Sequence, residues 1–253
     1  MMNSLMNSLM NNSLVNPFAL RTASWFVGFF LSRFAVMGME QLLSRYATPR
    51  QAKRTQKEPC QDLKCVLFLV VNSAMEWCLF QHMLRLTMQV QHTSFTLWST
   101  VVTCVVMFYA LDAVYMPVHW ALHRPCIYQH IHKHHHRNVE PYRGYTDAAA
   151  VHPVEHLLGI ACTWCALNVG VAFGAHSLTL LAFVVMHGVF AIANHTWCDV
   201  RILWYDNSDH ALHHILPQWN FAQYCTVYDK VCGTYKSYDS AYRANGFVPP
   251  AID

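Results

Sequence analysis

Charge is what this 253-residue chain has least of: Asp, Glu, Lys and Arg make up only 12% of it, about half the roughly 25% usual in soluble domains. With 54% hydrophobic residues and a mean hydropathy of +0.18, little polar surface remains to cover a water-soluble globule. Disorder is excluded as well, because disordered chains are polar and poor in aromatics, and 13% of residues here are aromatic. A dense basic stripe is also missing. The 17 Lys and Arg against 14 Asp and Glu leave a net charge of +3, so no nucleic-acid partner is expected. The opening MMNSLMNSLMNNSLVNPFAL lacks the basic start of a signal peptide, and 1–21 reads as a low-complexity leader. Cysteine is present ten times, but Cys65, Cys78, Cys104, Cys162 and Cys165 lie in apolar runs. They are expected to be reduced packing residues, the Cys162-Thr163-Trp164-Cys165 pair included. The length allows one compact domain and not two sizeable cores in succession.

The charge-free stretches show where a bilayer fits. From His156 to Cys198 run 43 residues without Asp, Glu, Lys or Arg. As helix they would reach about 65 Å, two crossings of a roughly 30 Å hydrocarbon core. The bend is expected at Phe173-Gly174-Ala175-His176-Ser177, giving spans near 157–173 and 178–194. The run Leu86–Leu111 contains a span near 95–116, and a weaker span, 65–84, carries Glu76, which needs a polar neighbour or water. The segment 22–38, with Arg33 inside it, either spans or lies flat at the interface. Ser44–Lys64, 119–156 and the chain after 195 hold fourteen of the 17 basic residues, so the positive-inside rule puts all three in the cytoplasm. On that orientation Asn194-His195-Thr196 is a cytoplasmic, unmodified sequon, and Asn11-Asn12-Ser13 is lumenal only if 22–38 spans. The expected fold is an all-α integral membrane protein, a bundle of four transmembrane helices with 22–38 as a fifth or an interfacial segment.

Against this apolar background stand 17 histidines. They fall into His119-x3-His123, His132-x2-His135-His136 and His210-x2-His213-His214. On a helix, positions i, i+3 and i+4 share a face, so each HxxHH is expected to offer three imidazoles to one point. Two such motifs exceed what chance allows at this histidine frequency. All three groups adjoin span ends on the same, cytoplasmic side, forming a histidine-rich metal-binding cap. Eight imidazoles are too many for one ion, so two metals are implied. Two iron ions with positions left for dioxygen suit oxidation of an unactivated C–H bond, and a lipid held in the bilayer presents such a bond at this face. A membrane metal-ion transporter or capture protein is the alternative reading. Transporters, however, place ligands near the midplane, where the paired spans offer only His187, with His176 at the bend.

The order HxxxH, HxxHH, HPxE (His152-Pro153-Val154-Glu155), HxxHH and a terminal Tyr228-Asp229-Lys230-Val231-Cys232-Gly233-Thr234 resembles the fatty acid hydroxylase and sterol desaturase superfamily of membrane di-iron enzymes. The resemblance covers about 95–238, which is set apart as the catalytic domain from an N-terminal membrane region with a basic loop (22–94) and a tail (239–253). It implies O2-dependent hydroxylation or desaturation of a sterol, fatty acyl or sphingolipid substrate, with two iron ions (Fe2+/Fe3+) as cofactor and electrons from a cytochrome b5-type donor. It also implies residence in the endoplasmic reticulum membrane or a bacterial inner membrane. Trp120 stands where the family commonly has Arg, and Ala191 where some members have a further histidine.

His195, directly after the span 178–194 and at the depth of the other clusters, is expected as a ninth ligand, and the resemblance puts a histidine there too. Candidates for orienting ligands from behind are Asp112, two turns before His119 on one face, Glu155, His152 in the HPxE stretch, Asn194 through a water, and Asp209 beside His210. A solvated helix-end carboxylate is the other reading for Asp112 and Asp209, and a dipole-stabilised first-turn acid for Glu155. His187 is expected to pack or line a cavity, His130 and His134 to lie at the surface, and His82, His92 and His176 to lie on the far side.

Overall fold

A computed structural model describes residues 63–90, 94–137, 144–196 and 200–238, with isolated positions 38, 139 and 141. The leader, the 22–38 segment, most of the basic loop, His92, Arg143 and the 239–253 tail lie outside the described residues. The chain divides at Leu42 and Leu43 into two compact units, and the helices and strands named next belong to the second.

Four long helices stand where the apolar stretches predict them: α1 Leu63–Gln89, which carries Glu76, α2 Leu97–Leu122, α5 Pro153–Ala172 and α6 Ser177–Ala193. By length and composition three can cross a bilayer, through Val66–Thr87 of α1, α2 and α5, while α6 is apolar and shorter at 17 residues. The starts of α2, α5 and α6 are set by side chains that accept orphan amides: Thr96 from Ser99, His152 from Val154 with Pro153 in the first turn, and His176 from Leu178. The α5–α6 bend falls at 173–176 as expected. Gly174 there takes a left-handed φ of 72°, and the Ala175 and Gly174 amides return to the Gly170 and Val171 carbonyls. These are the two bonds of a Schellman stop.

Helix α2 packs chiefly against α5, and α1 also lies on α5. Gly170 makes the α2–α5 approach possible: a Cβ there would stand 2.6 Å from Met107 Sδ. Met107, Phe108, Leu111, Ala166, Leu167, Leu180 and Phe183 fill the seam. The outer surface is apolar too, with Val70, Val101, Leu157, Trp164, Leu181 and Val185 exposed, as lipid contact demands and water would penalise. Two polar side chains inside the bundle reach polar partners. Asn72 donates to the Ala149 and Val151 carbonyls, and Glu76 lies 3.5 Å from His156 Nε2. The described cysteines are free, including Cys162 and Cys165.

Because the long helices alternate in direction, the end of α2, the start of α5 and the end of α6 meet at one end of the bundle. The shorter elements gather there: α3 Pro125–Tyr128, a 3-10 helix His132–Arg137, α4 Tyr145–Ala149, α7 Asn207–Ile215 and α8 Val227–Cys232. A two-stranded hairpin, β1 Arg201–Ile202 and β2 Tyr205–Asp206, departs from the all-α expectation.

Candidate metal centre

Helix α2 carries His119 and His123 into this end, the 3-10 helix carries His132, His135 and His136, and α7 carries His210, His213 and His214. His195 follows the α6 cap residue Asn194. The nine histidines named from sequence come together, but in two groups. His119, His123, His132, His136 and His213 form one, and His135, His195, His210 and His214 the other; in each group one nitrogen per ring lies within 4.8 Å of all the rest.

The expectation that each HxxHH serves one point is therefore corrected: both motifs straddle the two groups. In each, i and i+4 go to one group and i+3 to the other. On α7 the reason is angular. At about 100° per residue, His214 leads His210 by roughly 40° while His213 lags it by roughly 60°, so rings at i+3 and i+4 diverge by about 100°. The two motifs are crossed, the first giving its pair to the five-histidine group and the second giving its pair to the four-histidine group.

The far ring nitrogens show what the near ones are for. His119 Nδ1 donates to the Phe221 carbonyl at 2.7 Å, His213 Nδ1 to the Trp219 carbonyl at 2.7 Å and His195 Nδ1 to the Ala191 carbonyl at 2.8 Å. Glu155 Oε1 lies 2.9 Å from His132 Nδ1 and so favours the proton there. A carbonyl only accepts, so these rings carry hydrogen on Nδ1 and leave Nε2 bare when neutral. Yet the Nε2 atoms of His119 and His132 stand 3.1 Å apart, those of His123 and His213 3.1 Å, and those of His195 and His210 3.3 Å. With both Nε2 atoms bare, the lone pairs of His119 and His132 repel at that spacing unless a cation lies between them. Neutral imidazoles converging in two adjacent groups are a donor set that fits two borderline metal ions.

Protonation does not relieve the crowding. Burial, and then the charge of His119, push the His123 pKa down to about 3. Burial likewise holds His132, His135, His136, His210, His213 and His214 well below the ordinary imidazole range, with neighbouring histidines adding to it.

The supporting residues divide. Glu155 lies against His132, one of the nine histidines. Asp112 does not touch His119: its carboxylate accepts the backbone amides of Gln223, Tyr224 and Cys225. His152 caps α5 and packs edge-on against Phe68. Asn194 needs no water, donating directly to the Gln223 carbonyl and accepting from Tyr205 Oη. Asp209 lines a separate cleft of about 380 Å3 with Arg201, Lys230 and Tyr235, where burial and the Asp206 charge push its pKa up to about 7. His187 packs, between Tyr224 Oη at 2.8 Å and Thr163 Oγ1 at 3.3 Å. His130 is exposed, His134 packs on Phe68, and His82 lies against Trp164. Sequence reasoning missed the carbonyls of Trp219, Phe221 and Ala191, which any residue type supplies. It also missed a task for Asp229, although the aromatic-Asp-x3-Gly-Thr signature pointed at it.

Comparison with known proteins agrees with this chemistry. The fatty acid hydroxylase family model matches residues 104–234. The chain is 27% identical over 161 residues to lathosterol oxidase of Rattus norvegicus, covering 59% of this chain and 50% of that protein. It is 30% identical over 234 residues to a very-long-chain aldehyde decarbonylase of Oryza sativa subsp. japonica, covering 83% and 81%. Against the Delta(7)-sterol 5(6)-desaturase of Leptosphaeria maculans the figures are 27% over 123 residues, 47% and 33%. The chain thus spans half or less of the two sterol-modifying relatives and most of the decarbonylase. No solved structure matches. A match over half the chain, set on the residues that build the two histidine groups, makes the chain a member of the fatty acid hydroxylase family.

Proposed function

We propose that the chain is a membrane-bound non-haem di-iron oxygenase that hydroxylates or desaturates a C–H position of a lipid, whether sterol, fatty acyl or sphingolipid. It would use O2 and electrons from a cytochrome b5-type donor. The observation that carries this is the pair of buried imidazole groups, five and four strong, at one end of a bundle of apolar helices. His119, His123, His132, His136 and His213 would hold one iron, and His135, His195, His210 and His214 the other. Two irons held there supply activation of dioxygen for attack on an unactivated C–H bond. The chain's own part is to bind, orient and keep dry. The rings stay neutral through burial, Glu155 holds the proton on the far side of His132, and the apolar outer surface lets a lipid reach the site from the bilayer.

The wider frame belongs to the same reading: a catalytic domain over 95–238, four spans with 22–38 as a fifth or interfacial segment, and the histidine end facing the cytoplasm of the endoplasmic reticulum or a bacterial inner membrane. Support comes from the fourteen basic residues of the three histidine-side segments. A second reading, removal of the carbonyl carbon from a long-chain aldehyde, is favoured by one observation. The relative named above that covers most of both chains is an aldehyde decarbonylase.

The test joins iron content to lipid profiling. The purified chain should hold about two irons, and cells expressing it should gain a hydroxylated or unsaturated lipid that cells expressing His136→Ala do not. A shortened hydrocarbon instead would select the second reading. Variable zinc or no metal, with no lipid change after iron is restored, would leave the transporter reading standing in place of both.

A further inference from the structure

Five consecutive backbone amides, Phe221 to Cys225, belong to neither helix nor strand, and two carboxylates take all of them. Asp229 accepts Phe221 at 2.7 Å and Ala222 at 2.9 Å. Asp112, reaching from α2, accepts Gln223 at 2.9 Å, Tyr224 at 2.8 Å and also Cys225. Both carboxylates are completely buried, at 0% exposure. Asp229 is itself steadied by Thr234 Oγ1 at 2.7 Å, which Gly233 brings back with a left-handed φ of 72°.

With its amides held from one side, the segment turns its carbonyls to the other. Trp219 O receives His213 Nδ1–H, and Phe221 O receives His119 Nδ1–H. Asn220 is pinned between them in a left-handed conformation (φ 57°), its side chain bonded to the Asp209 and Lys236 carbonyls and to the Lys236 amide. The segment thus decides which nitrogen of two rings carries hydrogen and which is bare.

We infer that 219–225 is a positioning element for the five-histidine group, and that Asp112 and Asp229 are positioning residues acting on His119 and His213 through it. The reach of this device is one-sided. His119 and His213 both belong to the five-histidine group. In the four-histidine group His195 takes its orientation from Ala191 of its own helix. Asn194, which ties Gln223 to the end of α6, touches the segment without touching a ring. The inference rests on the proposed metal site, and it predicts that the two halves of that site can be uncoupled.

Cobalt(II) tests it, because its visible absorption reports each ion's ligand field without any turnover. The full chain in detergent, stripped and reloaded with Co2+, should take up two ions. Asp112→Asn and Asp229→Asn, which keep the side-chain shape and turn one acceptor into a donor, should take up one, with the absorption of the five-histidine group missing. Adding His195→Ala to Asp112→Asn should remove the remaining ion. Asp112→Asn holding two ions at wild-type affinity overturns the inference, and so does loss of both ions together with unchanged helicity. A wild-type chain that takes up no cobalt overturns the functional reading instead. Should the variants not fold, nitrogen-15 histidine spectra of the metal-free wild type at neutral pH still decide. His119 and His213 are expected with hydrogen on Nδ1, and hydrogen on Nε2 of either ring refutes the assignment.

Discussion

A histidine meets a metal through one bare nitrogen, and the hydrogen on its other nitrogen must go somewhere. His132 sends it toward Glu155, so Glu155→Gln should lower metal affinity by about 10–100-fold while the chain still inserts, as metal-binding titration of purified protein will show. His136, buried beside His132 and His213, would supply a ligand outright in the proposed site. His136→Ala should abolish lipid oxidation, whereas His82→Ala, which only loses a packing contact with Trp164, should leave it within about twofold, consistent with the small cost of peripheral changes. The proposed ninth ligand allows a sharper comparison. His195 Nε2 lies 3.3 Å from His135 and from His210, and His187 bonds to Tyr224 and Thr163 instead. Iron content should fall by about half in His195→Ala and stay unchanged in His187→Ala; the reverse pattern would put the ligand one helix level deeper.

At the scale of elements, the helix seams rest on small residues. Gly170→Val would drive a branched side chain into Met107 and Leu180, and with α2 pushed from α5 a loss of several kcal/mol is expected, in the range of overpacked cores. Detergent-solubilised thermal unfolding reads it. Gly174→Ala meets open space but a left-handed backbone, and should cost about 1 kcal/mol. These elements also show what the sequence tells and what it withholds. Runs without charge mark α2, α5, α6 and the 173–177 bend, and a weaker apolar run broken by Glu76 marks α1, because a bilayer acts on every residue of a span in the same way. The partition of the histidines is not marked, because His135 and His136 are adjacent identical letters serving different groups. Nor is the partner of Asp112, which lies 111 residues away at Gln223; spacing along one helix pointed to His119, and the actual partner is a backbone that any sequence would supply.

For the whole molecule, acid is the natural probe. The folded His123 ring has a pKa of about 3 against 6.5 for an ordinary imidazole, and its buried neighbours are shifted the same way, so below pH 6.5 the unfolded chain binds protons that the folded chain does not. Stability from this source is complete above pH 6.5 and is lost as pH falls toward 3. Metal release and hydrogen exchange in α7 should therefore begin below pH 6.5, while α2 and α5 stay protected. Orientation needs a different probe from the native sequon. Asn194 is 1% exposed and bonded to Gln223 and Tyr205, so its lack of a glycan would say nothing about the side it faces. A sequon engineered into the exposed 173–174 bend should be glycosylated in microsomes; an unmodified bend would reverse the proposed orientation. Helix α6 carries one more consequence. Its 17 residues reach only about 25 Å. A long helix can tilt to suit a thin bilayer, but a short one cannot stretch to suit a thick one. Spanning as proposed, this helix, which ends two residues before His195, would work as a thickness gauge: it would match a bilayer of roughly 27 Å with little distortion and fall several ångströms short of one near 33 Å. Thin membranes should retain the chain, and thick, sterol-rich ones should draw His195 toward the hydrocarbon.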